Sequence, residues 1–305
     1  MTLRKGLPAK NAATDADDTR YDFRNLFVAN ADGSPRGGIT APVGTALLSS
    51  TDSMAIAVAD FAGAAIRDGG PVLLANDGTT NVTLDPAPSS QSRLDVVFAV
   101  QHDSSSTVSV PDDDDDPVFG VLKGVAAANP VRNPDGLPAG ALELGTVLVP
   151  STATTTSDTG VVITTTAPYT AGAGGKVPFR TYDDLQLWTT AQTGQSACVT
   201  NDSTAALNGD YVWSGSVWGK RLQGGTVQVN LNGAASNNNT ATVTVTFPVP
   251  MVEVPSVSVQ HQSANIGATW NVYSVSTTGF TLTGHNAGAS SLPSAVITVG
   301  WIAIA

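Results

Sequence analysis

The side chains that could do chemistry are few. The densest group is Asp112 to Asp116, five adjacent aspartates between Pro111 and Pro117. Oxygen-rich loops suit calcium, but adjacent acids lack the D-x-D-x-D-G spacing that folds carboxylates around one ion. Like charges repel and stay in water, so the run reads as a solvated loop tip, and no metal is assigned. The three histidines, His102, His261 and His285, have no G-x-S-x-G nucleophile and no cysteine partner near them. A polysaccharide depolymerase would need two carboxylates flanking a glycosidic bond, and Glu253 is the one acid after Asp210. Catalysis is therefore not expected, and no cofactor is called for.

The C-terminal quarter does carry groups that suit an uncharged ligand. Neutral glycans are held by aromatic platforms together with amide, hydroxyl and imidazole hydrogen bonds. Trp270, Asn271, Tyr273, His285 and Asn286 supply these groups, and His261 with Gln262 adds to them. Each has a structural alternative. Tyr273, in register with Val275, would face a core, as would Trp301, because buried rings are commoner than ligand platforms. His261, in register with Val257 and Val259, would sit at a subunit axis. His285 and Asn286, in the loop GHNAGASS, are the expected exposed contacts, and Asn237, Asn238 and Asn239 form a second polar loop. Trp213 and Trp218 flank Ser214-Gly215-Ser216, a tight hairpin whose rings are expected to form a mini-core rather than a sugar site.

The elements that must position these groups are strands. TVQVNL puts Val227, Val229 and Leu231 on one face, TATVTVTF does so with Val243, Val245 and Phe247, and PSVSVQHQ with Val257, Val259 and His261. After Arg221 there is no lysine or arginine. Exposed faces normally take much of a protein's charge, so this stretch reads as a β-sandwich whose outer faces meet copies of itself or an uncharged ligand. With 13% charged residues and a formal net charge of −11, the chain is not a nucleic-acid binder of the basic kind. One cysteine, Cys198, excludes an intramolecular disulfide and a cysteine-based zinc site. No apolar run approaches the roughly 20 residues of a membrane span, so no membrane insertion is expected. The N-terminus lacks the apolar core of a secretion signal, which implies folding in a cytoplasm.

Along the chain, residues 1–18 read as an extended arm, 19–166 as a first β-domain, 167–224 as a linker and a small tryptophan-rich connector, and 225–305 as the sandwich. The fold class is all-β. MAIAVADFAGAAIRDG suits strands at least as well as a helix. PVLLANDGTTNVTLDPAP reads as a hairpin around Asn76-Asp77-Gly78, SRLDVVFAVQHD as a strand apolar on both faces, and STATTTSDTGVVITTTAPYTAGAGGK as a linker.

Three segments carry resemblances. TVTFPVPMVEVPSVSVQ, VYSVSTTGFTLTG and the closing AVITVGWIAIA resemble the H-type lectin fold found at the C-terminus of many phage tail proteins. The resemblance implies a six-stranded sandwich that forms a homotrimer and, in some members, binds sugars. Arg93 and Asp95, followed by Pro130, Pro134, Pro138, Leu142, Leu144 and Val147 to Pro150, resemble an attachment module of phage tail and baseplate proteins. VWSGSVW is similar to a connector of actinobacterial phage minor tail proteins. Together they imply a minor tail protein at the virion tail tip, bound to other tail or baseplate proteins at one end and to a host cell-surface glycan at the other. The alternatives are a purely structural tail component whose sandwich only trimerises, and an enzyme acting on the cell envelope.

Overall fold

The computed structural model describes residues 15–41, 46–106, 108–133, 135–231, 240–262, 268–286 and 296–305. Residues 1–14 of the expected arm, Pro134, the loop Asn237, Asn238 and Asn239, and the end of GHNAGASS beyond Asn286 lie outside these. The fold is all-β and divides into two units, Met1–Pro178 and Phe179–Ala305.

The first unit opens with helix α1 (Ala16–Phe23) and continues through β1 (Gly38–Ala41), β2 (Leu48–Ser50), β3 (Ala55–Val58), β4 (Phe61–Arg67), β5 (Gly70–Asn76), β6 (Thr80–Thr83), β7 (Ser92–Gln101), β8 (Pro117–Leu122), β9 (Leu142–Pro150) and β10 (Val162–Thr165). They form three antiparallel sheets, ordered β1-β4-β5, β2-β3-β6 and β10-β9-β7-β8. The alanine-rich stretch from Met54 becomes β3 and β4, since its apolar residues alternate and Asp68-Gly69, both at positive φ, turn β4 back onto β5. The central strand β7 buries both of its faces, from Val96 to Val100.

Two sequence expectations for this unit are corrected. The turn at Asn76-Asp77-Gly78 makes no hairpin: β5 pairs with β4 and β6 with β3, and the Asn76 amide donates to the carbonyls of Val58, Ala59 and Gly78, so the turn carries the chain from one sheet to another. The expected linker is part of the unit. β10 pairs with β9, and backbone bonds of Ile39 with Pro168 and Thr170 and of Val28 with Ala171 hold the chain beyond it. Before β10, the amides and hydroxyls of Thr154 and Thr155 donate to Asp158 and hold its carboxyl down to about 2.

The arm expected over residues 1–18 gives way to helix α1. Asp15 caps it by accepting from the Asp18 amide at 2.7 Å, which satisfies one of the first-turn donors. Its anchor is charge: buried Arg20 bonds Asp17, Asp68 at 3.3 Å and Asp103 at 2.5 Å. Beside it, buried Arg67 donates to Asp112 at 2.5 Å and to the Gln101 carbonyl. The aspartate run, expected as a free loop tip, is thus tethered at its first residue. Asp112 also accepts from the Asp103 amide, and Asp114 meets His102 at 2.7 Å, while Asp113 to Asp116 remain exposed. On β7, Arg93 Nε donates to both carboxylate oxygens of Asp95 at 2.9 Å with both side chains buried, and Asp95 accepts from the Gly124 amide. Arg93 reaches on to the carbonyls of Asp85 and Pro86, so the R-x-D pair pins two loops to the central strand. Removing either partner would leave a buried charge unpaired, at a cost of about 3–5 kcal/mol.

The second unit begins at the end of β11 (Val177–Phe179) and runs through α2 (Tyr182–Gln186), β12 (Ser196–Val199), β13 (Gly209–Trp213) and β14 (Trp218–Gly219). Trp213 and Trp218 pair across the Ser214-Gly215-Ser216 turn, 5.3 Å between ring centroids, and Trp188 lies 5.4 Å from Trp218 and accepts its indole N–H at 2.8 Å. All three rings are buried, which makes them the expected mini-core. Then follow β15 (Leu222–Asn230), β16 (Thr240–Thr246), β17 (Ser256–His261), β18 (Ala268–Ser276), β19 (Gly279–Asn286) and β20 (Val296–Ile304). They make two antiparallel three-stranded sheets, β15-β20-β17 and β16-β19-β18, around one core that includes Val229, Val245, Phe280, Leu282, Val299 and Trp301. Connector and sandwich are continuous. The Lys220 ammonium donates to the carbonyls of Ala206 and Asn208 at 2.7 Å while its backbone bonds Pro250 and Val252, and Gln223 bonds both backbone groups of Val249.

The charge network generates an acid limb. Burial pushes the Asp103 and Asp112 carboxyls up. Hydrogen bonds to Asp103 from Arg20 and Ser105, and to Asp112 from the Asp103 amide and Arg67, outweigh it and hold both below the usual carboxylate range. With folded values depressed, the stability they add is fully present above the ordinary aspartate value of about 3.9 and is lost as pH falls through the lower folded values. The first unit is expected to lose stability progressively below about pH 4 in thermal melts, and Asp103→Asn with Asp112→Asn should flatten that limb.

Candidate functional site

Strand parity decides which side chains of sheet β16-β19-β18 can meet a ligand. On the central strand β19, Phe280 and Leu282 are buried in the core, so Thr281, Thr283 and His285 point the other way. Register places Thr242 and Asn271 on either side of Thr283, Thr244 and Tyr273 on either side of Thr281, and Thr240 and Thr269 on either side of His285. The outer face is therefore a grid three strands wide, about 10 Å across, made of hydroxyl, amide, imidazole and phenol groups with no charged residue.

The groups are joined to one another. The Thr242 and Thr283 hydroxyls lie 2.9 Å apart, the Thr283 hydroxyl donates to the Tyr273 phenol at 3.2 Å, and the Asn271 amide nitrogen lies 3.4 Å from His285 Nε2. If the amide nitrogen is the donor, Nε2 accepts and the ring is in the neutral Nδ1–H form. Each hydroxyl retains lone-pair capacity toward solvent, so the face can donate to and accept from a polyhydroxylated ligand without a salt bridge.

Three of the five expected residues, Asn271, Tyr273 and His285, share this face. Tyr273 is 46% exposed rather than in the core. The reason is a bulge: pairing slips by one residue between Tyr273 and Ser276, with Ser274 at φ 51°, so Trp270 and Val272 turn inward before it, Val275 turns inward after it, and Tyr273 keeps the outward parity. Trp270 is not on the face. It packs against the core and lies across Gly284, where a Cβ would come within 2.6 Å of the indole, and its Nε1 donates toward His261 Nδ1 at 3.4 Å. Asn286, expected as an exposed contact beside His285, is 3% exposed, because it continues β19 with the parity of Leu282 and Gly284. Trp301 is in the core, and His261 and Gln262 are exposed at the end of β17.

Residue-by-residue reading of the sequence missed Thr242, Thr281 and Thr283. The signal for them was present in the T-x-T runs of TATVTVT and FTLTG, where an outward threonine alternates with an inward apolar residue.

No family model and no curated protein matches the chain. Among solved structures, the crystal structure of the Pseudomonas phage phi297 tailspike gp61 matches with 23% identity over 27% of this chain and 15% of that one, at a TM-score of 0.23. The shared part is a small fraction of the tailspike, and a likeness of that extent carries no argument by itself.

Burial separates neighbours on β18 and β19 that the sequence treats alike. Asn286→Ala should lower the unfolding free energy in urea by about 1–3 kcal/mol, the cost of stranding a buried polar partner. Asn271→Ala, on the exposed face, should change it by no more than about 0.5 kcal/mol.

Proposed function

We propose that this chain is a minor tail protein of a bacteriophage that attaches to the tail through its N-terminal unit and binds a neutral host-surface glycan on the outer face of β16-β19-β18. The observation that carries the reading is the uncharged grid around Thr283, where Asn271, Tyr273, His285 and the flanking threonine hydroxyls converge without a lysine, arginine, aspartate or glutamate. The resemblance of the terminal strands to the H-type lectin fold, and of the Arg93–Asp95 strand and the P-A-G-A-L-x-L-G strand to a tail-attachment module, supports the same assignment. The location that follows is the virion tail tip. Among the described residues no helix is long and apolar enough to cross a membrane.

The grid binds rather than cleaves. Glu253 is the one acid between Arg221 and the C-terminus, and a glycosidase needs two carboxylates across the scissile bond.

A second observation favours association of copies. On the outer face of the other sheet, Leu222 lies beside Ile304, with Ile302 two residues back on the same strand, and all three are more than half exposed. An apolar stripe rimmed by Ser256, Ser258 and Gln260 suits burial against a second copy. Homotrimerisation through it would make a weak glycan site useful, since linked sites bind far more tightly than single ones. A purely structural tail component would use the stripe and leave the grid idle.

Two outcomes test this. Binding of the full-length chain to host cells should fall at least tenfold on Asn271→Ala with Tyr273→Ala, and should change little between low and high salt, because no ion pair is formed. Binding unaffected by the double substitution would refute the site and leave the structural role. In light scattering the chain should have the mass of a trimer, and Ile302→Lys with Ile304→Lys should yield monomers.

A further inference from the structure

Two sheets of the first unit end at strands that border one cavity. Among the described residues β6 is the last strand of sheet β2-β3-β6, and β8 is the last of sheet β10-β9-β7-β8. Antiparallel partners exchange their backbone bonds at every second residue. The Leu84 amide donates to the Met54 carbonyl, so β6 bonds β3 through Val82 and Thr80, and Asn81 and Thr83 turn their N–H and C=O groups away from β3. The His102 amide donates to the Asp116 carbonyl, so β8 bonds β7 through Val118, Gly120 and Leu122, and Phe119 and Val121 turn theirs away from β7. All four of these residues line a cavity of about 560 Å³. Open backbone groups along a sheet edge are a template for an added strand.

The open stretch has two different ends. Just past β8, the Lys123 ammonium meets the Asp85 carboxylate, just past β6, at 2.7 Å, so an ion pair bridges the two edges there. At the other end β8 begins with Pro117, which has no N–H to offer. Val118 to Leu122 lie between, about 17 Å of strand at 3.4 Å per residue.

Charge points to the occupant. Within the cavity the acids are already paired, Asp95 with Arg93 and Asp85 with Lys123, and Val82, Val118, Phe119 and Val121 supply apolar wall. Asp113, Asp115 and Asp116 are exposed and lead directly into β8. The site therefore offers backbone bonds along its length, apolar contact beside them and negative charge at one end. A second copy of this chain, with a net charge of −11, is a poor complement to it, whereas a peptide with basic residues at one end is a good one.

We propose that the open edge of β8 binds an extended basic segment of another protein. The segment pairs with the backbone of Phe119 and Val121, lays apolar side chains into the cavity and sets its lysines or arginines against Asp113 and Asp116. The site belongs to the first unit and does not depend on the glycan face.

Amide hydrogen exchange on the full-length chain tests it. The probe is a synthetic octapeptide, a lysine pair followed by alternating valine and threonine, and its control carries glutamates in place of the lysines. In the free protein the Phe119 and Val121 amides should exchange fast, and saturating lysine peptide should slow both about tenfold or more, with Val97 on β7 unchanged as an internal measure of folding. Asp113→Asn with Asp116→Asn should weaken binding of the lysine peptide about tenfold, and high salt should do the same to the native chain. Val121→Pro removes an outward N–H without touching the β7–β8 ladder, and it should abolish the slowing at Phe119. Slow exchange of both amides in the free protein would mean that the edge is already covered and would overturn the proposal. No slowing with the lysine peptide, or equal slowing with the glutamate control, would overturn it as well.

Discussion

Three rings, Phe247, Phe280 and Trp301, hold the two sheets of the C-terminal sandwich together, with centroids 5.4 to 5.9 Å apart. They extend from the end of β16 across β19 to β20, and each fixes the inward parity of its strand. Because a strand alternates strictly, committing Phe280 and Leu282 to the core commits Thr281, Thr283 and His285 to the outside. The polar outer face is thus a consequence of the core. Among the described residues of β18 the alternation is broken at Ser274, and that bulge lets Val275 return to the core while Tyr273 stays outside.

The two units handle polarity in opposite ways. The first carries its charge inward, pairing Arg20, Arg67 and Arg93 with aspartates in sites almost closed to water, so that loops and a helix far apart in sequence are fixed by bidentate or branched contacts. The geometry of such pairs is demanding, so each fixes the relative placement of the elements it joins. The sandwich avoids charge and clothes its outer sheet with short hydroxyl side chains. These have little conformational freedom to lose, and their bonds to one another, from Thr242 through Thr283 to Tyr273, fix their orientation.

The regular parts of this fold were legible in the sequence. Alternation marked the strands of the sandwich, the double-faced apolar run marked β7, and the tryptophans around Ser214-Gly215-Ser216 marked a hairpin and its small core. What escaped the sequence depends on partners far along the chain. Helix α1 has a weak apolar face and exists because Arg20 reaches Asp103, 83 residues away. The Asn76-Asp77-Gly78 turn has hairpin chemistry, yet β6 finds a better partner in β3. In the candidate site, the types of residue were readable but their faces were not. A single positive φ at Ser274 lets Val275 turn inward while Tyr273 stays on the surface, and the extension of β19 through Gly284, His285 and Asn286 moves Asn286 from loop to interior. Neither event has a local sequence signal, since serine is not a residue that demands that backbone conformation.

The central claim is that the face organised by Thr283 is where this chain meets its ligand. The most direct measurement is amide and side-chain chemical-shift mapping of the full-length protein titrated with neutral oligosaccharides released from host cell envelopes. The account predicts saturable shifts confined to Asn271, Tyr273, Thr281, Thr283 and His285 and their partners on β16. Shifts centred instead on the Trp213–Trp218 hairpin, or no shifts with any envelope fraction, would contradict it.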